Sequence, residues 1–164
     1  MRILCTVFSV LLCLSLFSCS SGEPTANEIL YSIIEGSAPL PAGVVYSPSA
    51  EVGDKEYLSP ALAEALWGED AQEGFSLLED YSIYLSSFAK PYEIGVFVCY
   101  SATDAVRIEE LCRSRADIVS VSLRQTEFFD LCQSIRICRS GRYVVFLMTP
   151  NTYESERIAK RLIR

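Results

Sequence analysis

The chain has 164 residues, half of them apolar, with 14 basic and 21 acidic side chains and a formal net charge of −7. This length suits one domain, and the apolar share is large enough to build a core without disulfides or a metal. Histidine is absent, which excludes Ser-His-Asp and Cys-His nucleophilic sites and every metal site with histidine ligands.

The first residues have the pattern of an export signal. Arg2 supplies one positive charge, and residues 3–17 form an uncharged, largely apolar run without Pro or Gly. This run is short for a membrane span, which needs about 20 residues, and is typical of the apolar region of a signal peptide. It ends in Leu16-Phe17-Ser18-Cys19, which resembles the lipobox of bacterial lipoproteins.

The lipobox pattern predicts that residues 1–18 are removed and that the thiol of Cys19 carries a diacylglyceryl group. Two acyl chains are enough for stable membrane anchoring. Residues 19–24 are then a polar tether, and residues 25–164 form a single domain. The alternatives are an ordinary secretory signal with a coincidental Cys19 and a short uncleaved anchor. We expect an extracytoplasmic protein held at the cell membrane by its lipid.

Capping residues and the spacing of apolar side chains predict the elements of the mature chain. Four helices are expected to begin after Thr25, Ser59, Ser101 and Asn151. Strands are expected near residues 44–46, 81–86, 93–100, 135–139 and 142–149. A helical turn is expected near residues 128–131, and an acidic loop at residues 69–74.

From residue 81 onward the chain has the pattern of two β–β–α halves. The first strand alternates apolar and polar residues, which predicts one buried face, whereas residues 93–100 are apolar on both faces and predict a central strand. Ser140-Gly141 predicts a two-residue hairpin turn between the last two strands. We expect an α+β fold, a two-layer sandwich of about four antiparallel strands with helices on one face and an N-terminal helical extension.

A set of short motifs occurs in a characteristic order along this layout. The motifs are Leu66-Trp67-Gly68, Asp80-Tyr81, Glu93-Ile94-Gly95-Val96-Phe97 and Gly141-Arg142-Tyr143-Val144-Val145. Together with the lipobox, their order resembles the small Firmicutes lipoproteins of the DUF4358 family, a domain of unknown function. The resemblance covers most of the mature chain. It implies an envelope lipoprotein with this αβ layout, and it implies no activity.

Charge is unevenly distributed along the predicted mature chain. Residues 19–98 contain 13 acids and two bases, whereas residues 99–164 contain 8 acids and 11 bases. The acidic first half argues against nucleic acid as a partner, because phosphate binding needs a basic surface. The basic second half could contact anionic lipid or a wall polymer, although a solvated surface with charges of both signs is the commoner explanation.

Arg136, Arg139 and Arg142 flank the predicted hairpin and form the candidate contact for an anionic partner such as a lipid headgroup or a wall phosphate. Arginines beside a tight turn are more often solvated charges that protect an edge strand from aggregation. Both interpretations remain open from the sequence.

Four cysteines follow Cys19 in the sequence: Cys99, Cys112, Cys132 and Cys138. None belongs to a C-x-x-C motif, so redox and zinc-knuckle spacings are absent. Cys99 and Cys112 fall on predicted core faces with backbones too far apart for a bridge, and we expect buried thiols there. The sequence leaves a Cys132–Cys138 disulfide undecided.

Two acidic groups, Glu51/Asp54/Glu56 and Glu69/Asp70/Glu73, lack the alternation of a calcium-binding loop, so we expect solvated loops and no metal site. No cofactor motif and no catalytic motif is found. The sequence favours a membrane-anchored envelope lipoprotein with a non-enzymatic binding or accessory role towards an envelope protein or wall polymer. The alternative is a small hydrolase of cell-wall glycan or peptide that uses two carboxylates.

Overall fold

A computed structural model describes residues 22–87 and 90–164 of the chain. The predicted signal, its cleavage point and the lipidation site at Cys19 lie outside the described residues. Within those two ranges, no helix is both long enough and apolar enough to cross a membrane.

The described residues form six helices and five strands. The helices are α1 (Ala26–Gly36), α2 (Pro60–Trp67), α3 (Ala71–Phe75), α4 (Ala102–Leu123), α5 (Phe129–Gln133) and α6 (Thr152–Leu162). The strands are β1 (Gly43–Tyr46), β2 (Leu78–Ser86), β3 (Glu93–Cys99), β4 (Arg136–Ser140) and β5 (Tyr143–Met148).

The strands form one sheet in the order β1-β2-β3-β5-β4, and every neighbouring pair is antiparallel. The predicted α+β class is therefore confirmed, with five strands where about four were expected. β3 lies in the centre and all seven of its residues are buried, as its apolar residues on both faces predicted. The four-residue strand β1 extends one edge.

Helices cover both faces of the sheet, which corrects the expected two-layer arrangement with helices on one face. The front face packs against α2, α3, α4 and α5 around Trp67, Phe97 and Phe146. The back face packs against α1 and α6 around Val96 and Val145. The physical reason is that β3 and β5 are apolar on both faces. A fully buried large apolar side chain contributes about 1.5–3 kcal/mol, so neither face can be left in water.

Helix α1 is an integral part of the back layer, although the sequence suggested an extension. Its residues Ile29, Leu30 and Ile33 are completely buried, and it packs on α6, β2 and β3. The predicted capping box begins it: the Thr25 amide donates to the Glu28 carboxylate at 2.9 Å, and the Glu28 amide donates to the Thr25 hydroxyl at 3.2 Å. The chain is thus fixed to the domain from its first described helix.

The other three predicted N-caps are confirmed. Side chains of Ser59, Ser101 and Asn151 accept hydrogen bonds from backbone amides three residues ahead. Helix α2 ends at Gly68, whose φ of +88° favours glycine. Short polar side chains at helix starts can be recognised from neighbouring residues alone, and each of the four predicted caps begins a helix.

Three local predictions differ from the structure. β2 is buried on both faces, because α1 covers Ser82 while Ile83 packs into the front core. The acidic loop contains helix α3, which Phe75 anchors by edge-on contacts with Trp67 and Phe97. The hairpin turn consists of Gly141 and Arg142, since Ser140 pairs with Tyr143.

Candidate functional site

The structure distributes the three hairpin arginines over different surfaces. Arg136 and Arg139 lie three positions apart on β4, so their side chains point to opposite faces of the sheet. Arg136 approaches Glu156 of α6 on the back face, with 3.8 Å between Nε and Oε2. Arg139 donates to Glu109 of α4 on the front face at 2.6 Å. The predicted cluster is therefore not formed by these two residues.

Arg142 occupies the turn itself and binds two carboxylates. Its guanidinium donates to Glu23 from Nε at 2.9 Å and from Nη2 at 2.5 Å, and it also donates to Glu79. Its side chain is 28% exposed, against 51% for Arg136 and 39% for Arg139. All three arginines thus have acidic partners within the chain, and a free anion would compete with those carboxylates.

Glu109 shows the electrostatic consequence most clearly. Hydrogen bonds from Arg139 and then from Arg113 lower the pKa of the Glu109 carboxyl below its ordinary value of 4.5. Arg113 lies one helical turn further along α4, at the (i, i+4) spacing, and its Nη2 is 2.5 Å from the Glu109 carboxylate. Glu109 therefore remains ionised and bridges α4 to the edge strand β4 at neutral pH.

A buried ion pair that the sequence did not predict lies at the end of the sheet away from the β4–β5 turn. Glu93 opens β3 and its side chain is 2% exposed, and Arg115 of α4 is 12% exposed. Arg115 donates from Nη2 to Glu93 Oε2 at 2.7 Å and from Nε at 3.1 Å. It also donates from Nη1 to the Leu66 carbonyl at 2.8 Å. Each of the three guanidinium nitrogens of Arg115 thus donates a hydrogen bond. The ion pair and the carbonyl bond join β3, α4 and α2.

An aromatic ring and an open cavity lie beside this pair. The Arg115 guanidinium lies 5.5 Å from the centre of the Trp67 ring, a cation–π contact. A cavity of about 300 Å³ adjoins the pair at the end of the sheet. Its lining includes Leu85, Tyr92, Glu93, Arg115, Val119 and Met148. The cavity is open to solvent, and its lining mixes these apolar side chains with the charged pair and with Ser86 and Ser122.

One signal in the sequence could have indicated Glu93. It is the single charged residue in a strand whose other residues are apolar on both faces. A carboxylate at such a position needs a buried partner, because an unpaired buried charge is very costly. The partner itself, 22 residues away, depends on where α4 crosses the sheet.

Three acids line a second cavity, of about 340 Å³, between α3 and α4. These are Asp70 and Glu73 from the predicted acidic loop and Glu110 from α4. Arg107 of α4 also lines it and pairs with Glu73. The Glu73 side chain is 64% exposed, so water screens these charges. The arrangement is a solvated hollow with mixed charge.

The other acidic group, Glu51/Asp54/Glu56, is exposed, and its side-chain hydrogen bond is made within the group. The Asp54 carboxylate accepts a hydrogen bond from the Glu51 amide at 2.9 Å, which closes the turn. Across residues 22–87 and 90–164, no three His, Cys, Asp or Glu side chains are grouped so that they could hold a metal ion.

Cys99, Cys112, Cys132 and Cys138 are all buried free thiols. Cys132 packs into the front core and Cys138 into the back core, so the sheet separates the pair that the sequence left undecided. Burial raises the pKa of Cys99 to about 12 and that of Cys138 to about 11, and it raises the pKa of Cys112 well above its ordinary value. These three thiols remain protonated at neutral pH and behave as small apolar side chains, as predicted for Cys99 and Cys112.

The fold and the site define an α+β protein with an antiparallel sheet between two helical layers and a buried Glu–Arg pair at one sheet end. No family model matches the chain, and neither a curated protein nor a solved structure is significantly similar to it.

Proposed function

We propose that the chain is an extracytoplasmic lipoprotein, anchored to the membrane through Cys19, whose domain acts by binding an envelope protein or a wall component. The observation that carries this proposal is the sequence of residues 1–19: one base, an uncharged apolar run too short for a span, and Leu-Phe-Ser-Cys at its end. The resemblance to the DUF4358 lipoproteins belongs to the same proposal.

Two features of the described residues support a binding role. The thiols with raised pKa values are poor nucleophiles, because the thiolate is the reactive species. The cavity beside Glu93 and Arg115 is lined by both apolar and polar side chains, including the charged pair, which suits recognition of an apolar group with a polar end. An envelope partner could insert such a group there.

The anchor is tested by comparing Cys19→Ala with Cys13→Ala, a cysteine substitution inside the apolar run. Wild type and Cys13→Ala should fractionate with membranes and enter the detergent phase after phase separation. Cys19→Ala should keep its signal or appear in the medium, because no thiol can accept the lipid. Equal fractionation of all three proteins, with an unmodified Cys19, would refute the anchor.

The alternative function, hydrolysis of wall glycan or peptide, is favoured by one observation, the three carboxylates around a single cavity. Two of them would act as acid and base or nucleophile. The test is release of fragments from purified wall material by wild type, Glu73→Gln and Glu110→Gln. Turnover that both substitutions abolish would establish the hydrolase, and absence of turnover by wild type would exclude it for that substrate.

A further inference from the structure

The start of the described chain is bonded to one particular end of the sheet. Glu23 accepts two hydrogen bonds from Arg142 in the β4–β5 turn, and Tyr143 donates from its hydroxyl to the Pro24 carbonyl at 3.2 Å. The Ala26 amide donates to the Asp80 carboxylate at 2.9 Å. Glu23, Pro24 and Ala26 thus all form hydrogen bonds with the same end of the sheet.

The strand register defines this region as the turn end of the sheet. Here β2 begins at Leu78 opposite Cys99, the last residue of β3, and β5 begins at Tyr143 opposite Val98. At the other end, which we term the cavity end, Glu93 pairs with Leu85 and with Met148. The seven residues of β3 separate the two ends by about 20 Å.

The sequence limits how far this turn end can lie from the anchor. Four residue steps join Cys19 to Glu23, and a fully extended chain spans about 3.5 Å per residue, so the reach is at most ~14 Å. Without the contacts of Glu23 and Pro24, the first fixed residue would be Thr25, the N-cap of α1, and the reach would grow by ~7 Å. The contacts therefore shorten the tether.

We propose that Arg142 and Tyr143 latch residues 23–24 to the β4–β5 turn, so that the turn end of the sheet faces the lipid surface and the cavity end points away from it. This orientation rests on the proposed anchor at Cys19. It places the cavity beside Glu93 and Arg115 where an envelope partner can reach it, and it gives Arg142 a role that its neighbours Arg136 and Arg139 do not share.

Two exposed tyrosines offer matched positions for a probe. Tyr100 follows β3 at the turn end and is 66% exposed, and Tyr153 is the second residue of α6, beyond the cavity end, and is 78% exposed. Tyr100→Cys and Tyr153→Cys would each carry a donor dye on the full-length lipidated protein. The four native thiols of the domain are buried and should not react with the dye.

The measurement is energy transfer to acceptor-labelled lipid in vesicles of phosphatidylcholine and phosphatidylglycerol, after flotation of the bound protein. We expect transfer from position 100 to exceed that from position 153 by about twofold or more, given ends ~20 Å apart. Equal transfer from floated protein would overturn the orientation alone. Failure of the protein to float would overturn the anchor and the orientation with it.

The latch itself is tested by Arg142→Gln and Glu23→Gln in the same labelled proteins. Either substitution should lower the transfer from position 100 towards that from position 153, because the free tether lengthens. The control is Arg139→Gln, which removes a hairpin arginine that binds α4 and not the chain start. Glu23 is 65% exposed, so its substitution should leave the fold intact. Transfer unchanged by both latch substitutions would overturn the role of Arg142.

Discussion

The ion pair at the cavity end and the ion pairs of the β4–β5 hairpin use the same chemical groups in opposite surroundings. Glu93 and Arg115 are 2% and 12% exposed and lie between the sheet and α4, whereas Arg136 is 51% exposed beside Glu156. Water screens the hairpin charges, and it hardly reaches the buried pair. Removing one partner of the buried pair should therefore cost far more stability than removing Arg136, whose charge is screened by water.

The largest expected effect comes from removing one partner of the buried pair. Arg115→Ala should lower the free energy of unfolding by about 3–5 kcal/mol, because Glu93 would remain as an uncompensated buried charge. Urea denaturation followed by circular dichroism measures this. The matched control is Arg113→Ala on the same helix, because Arg113 is 65% exposed in its (i, i+4) pair with Glu109 and such a pair is worth about 0.3–0.5 kcal/mol.

Replacing both Glu93 and Arg115 tests the same contrast between the buried ion pair and the exposed hairpin pairs. Glu93→Leu combined with Arg115→Met should recover most of the lost stability, because apolar residues of similar volume often substitute for a buried pair without cost. If Arg115→Ala alone were as mild as Arg113→Ala, the pair would be solvated and the contrast with the hairpin would fail.

An intermediate effect, with a pH dependence, is expected at Glu109. Its pKa is lowered in the folded protein, so its stabilising contribution is fully present above the unfolded pKa and is lost as the pH falls through the folded pKa. Glu109→Gln should therefore cost up to about 1 kcal/mol at neutral pH. The difference from wild type should shrink below pH ~4.5. Thermal unfolding of both proteins over this pH range measures it, and a constant difference would contradict the assignment.

The smallest effect is expected at Arg136. Its guanidinium is half exposed and 3.8 Å from Glu156, so Arg136→Gln should change the free energy of unfolding by less than about 0.5 kcal/mol. The same urea titration checks this value. A loss above 1.5 kcal/mol would mean that the hairpin charges are not merely solvated.

Local signals predicted the elements well, because they depend on neighbouring residues. The capping box of Thr25 and Glu28 and the caps at Ser59, Ser101 and Asn151 each begin a helix. The apolar residues on both faces of β3 predicted its central position. The same pattern in β3 and β5 also requires helices on the second face of the sheet, which the expected arrangement with helices on one face would leave in water.

The site was harder to predict because its contacts join distant parts of the chain. Arg115 reaches Glu93 only because α4 crosses the sheet at that end, and Arg142 reaches Glu23 across 119 residues. The three hairpin arginines are close in sequence, yet strand alternation and the turn direct them to separate partners. Proximity in sequence therefore suggested a cluster that the backbone geometry disperses.

The most direct test of the central claim is the mass of the mature chain purified from membranes. We expect Cys19 to be the first residue and to carry a diacylglyceryl group, with residues 1–18 removed. A chain that begins at another residue, or that retains residues 1–18 with a free thiol at Cys19, would contradict the anchor and the orientation built on it.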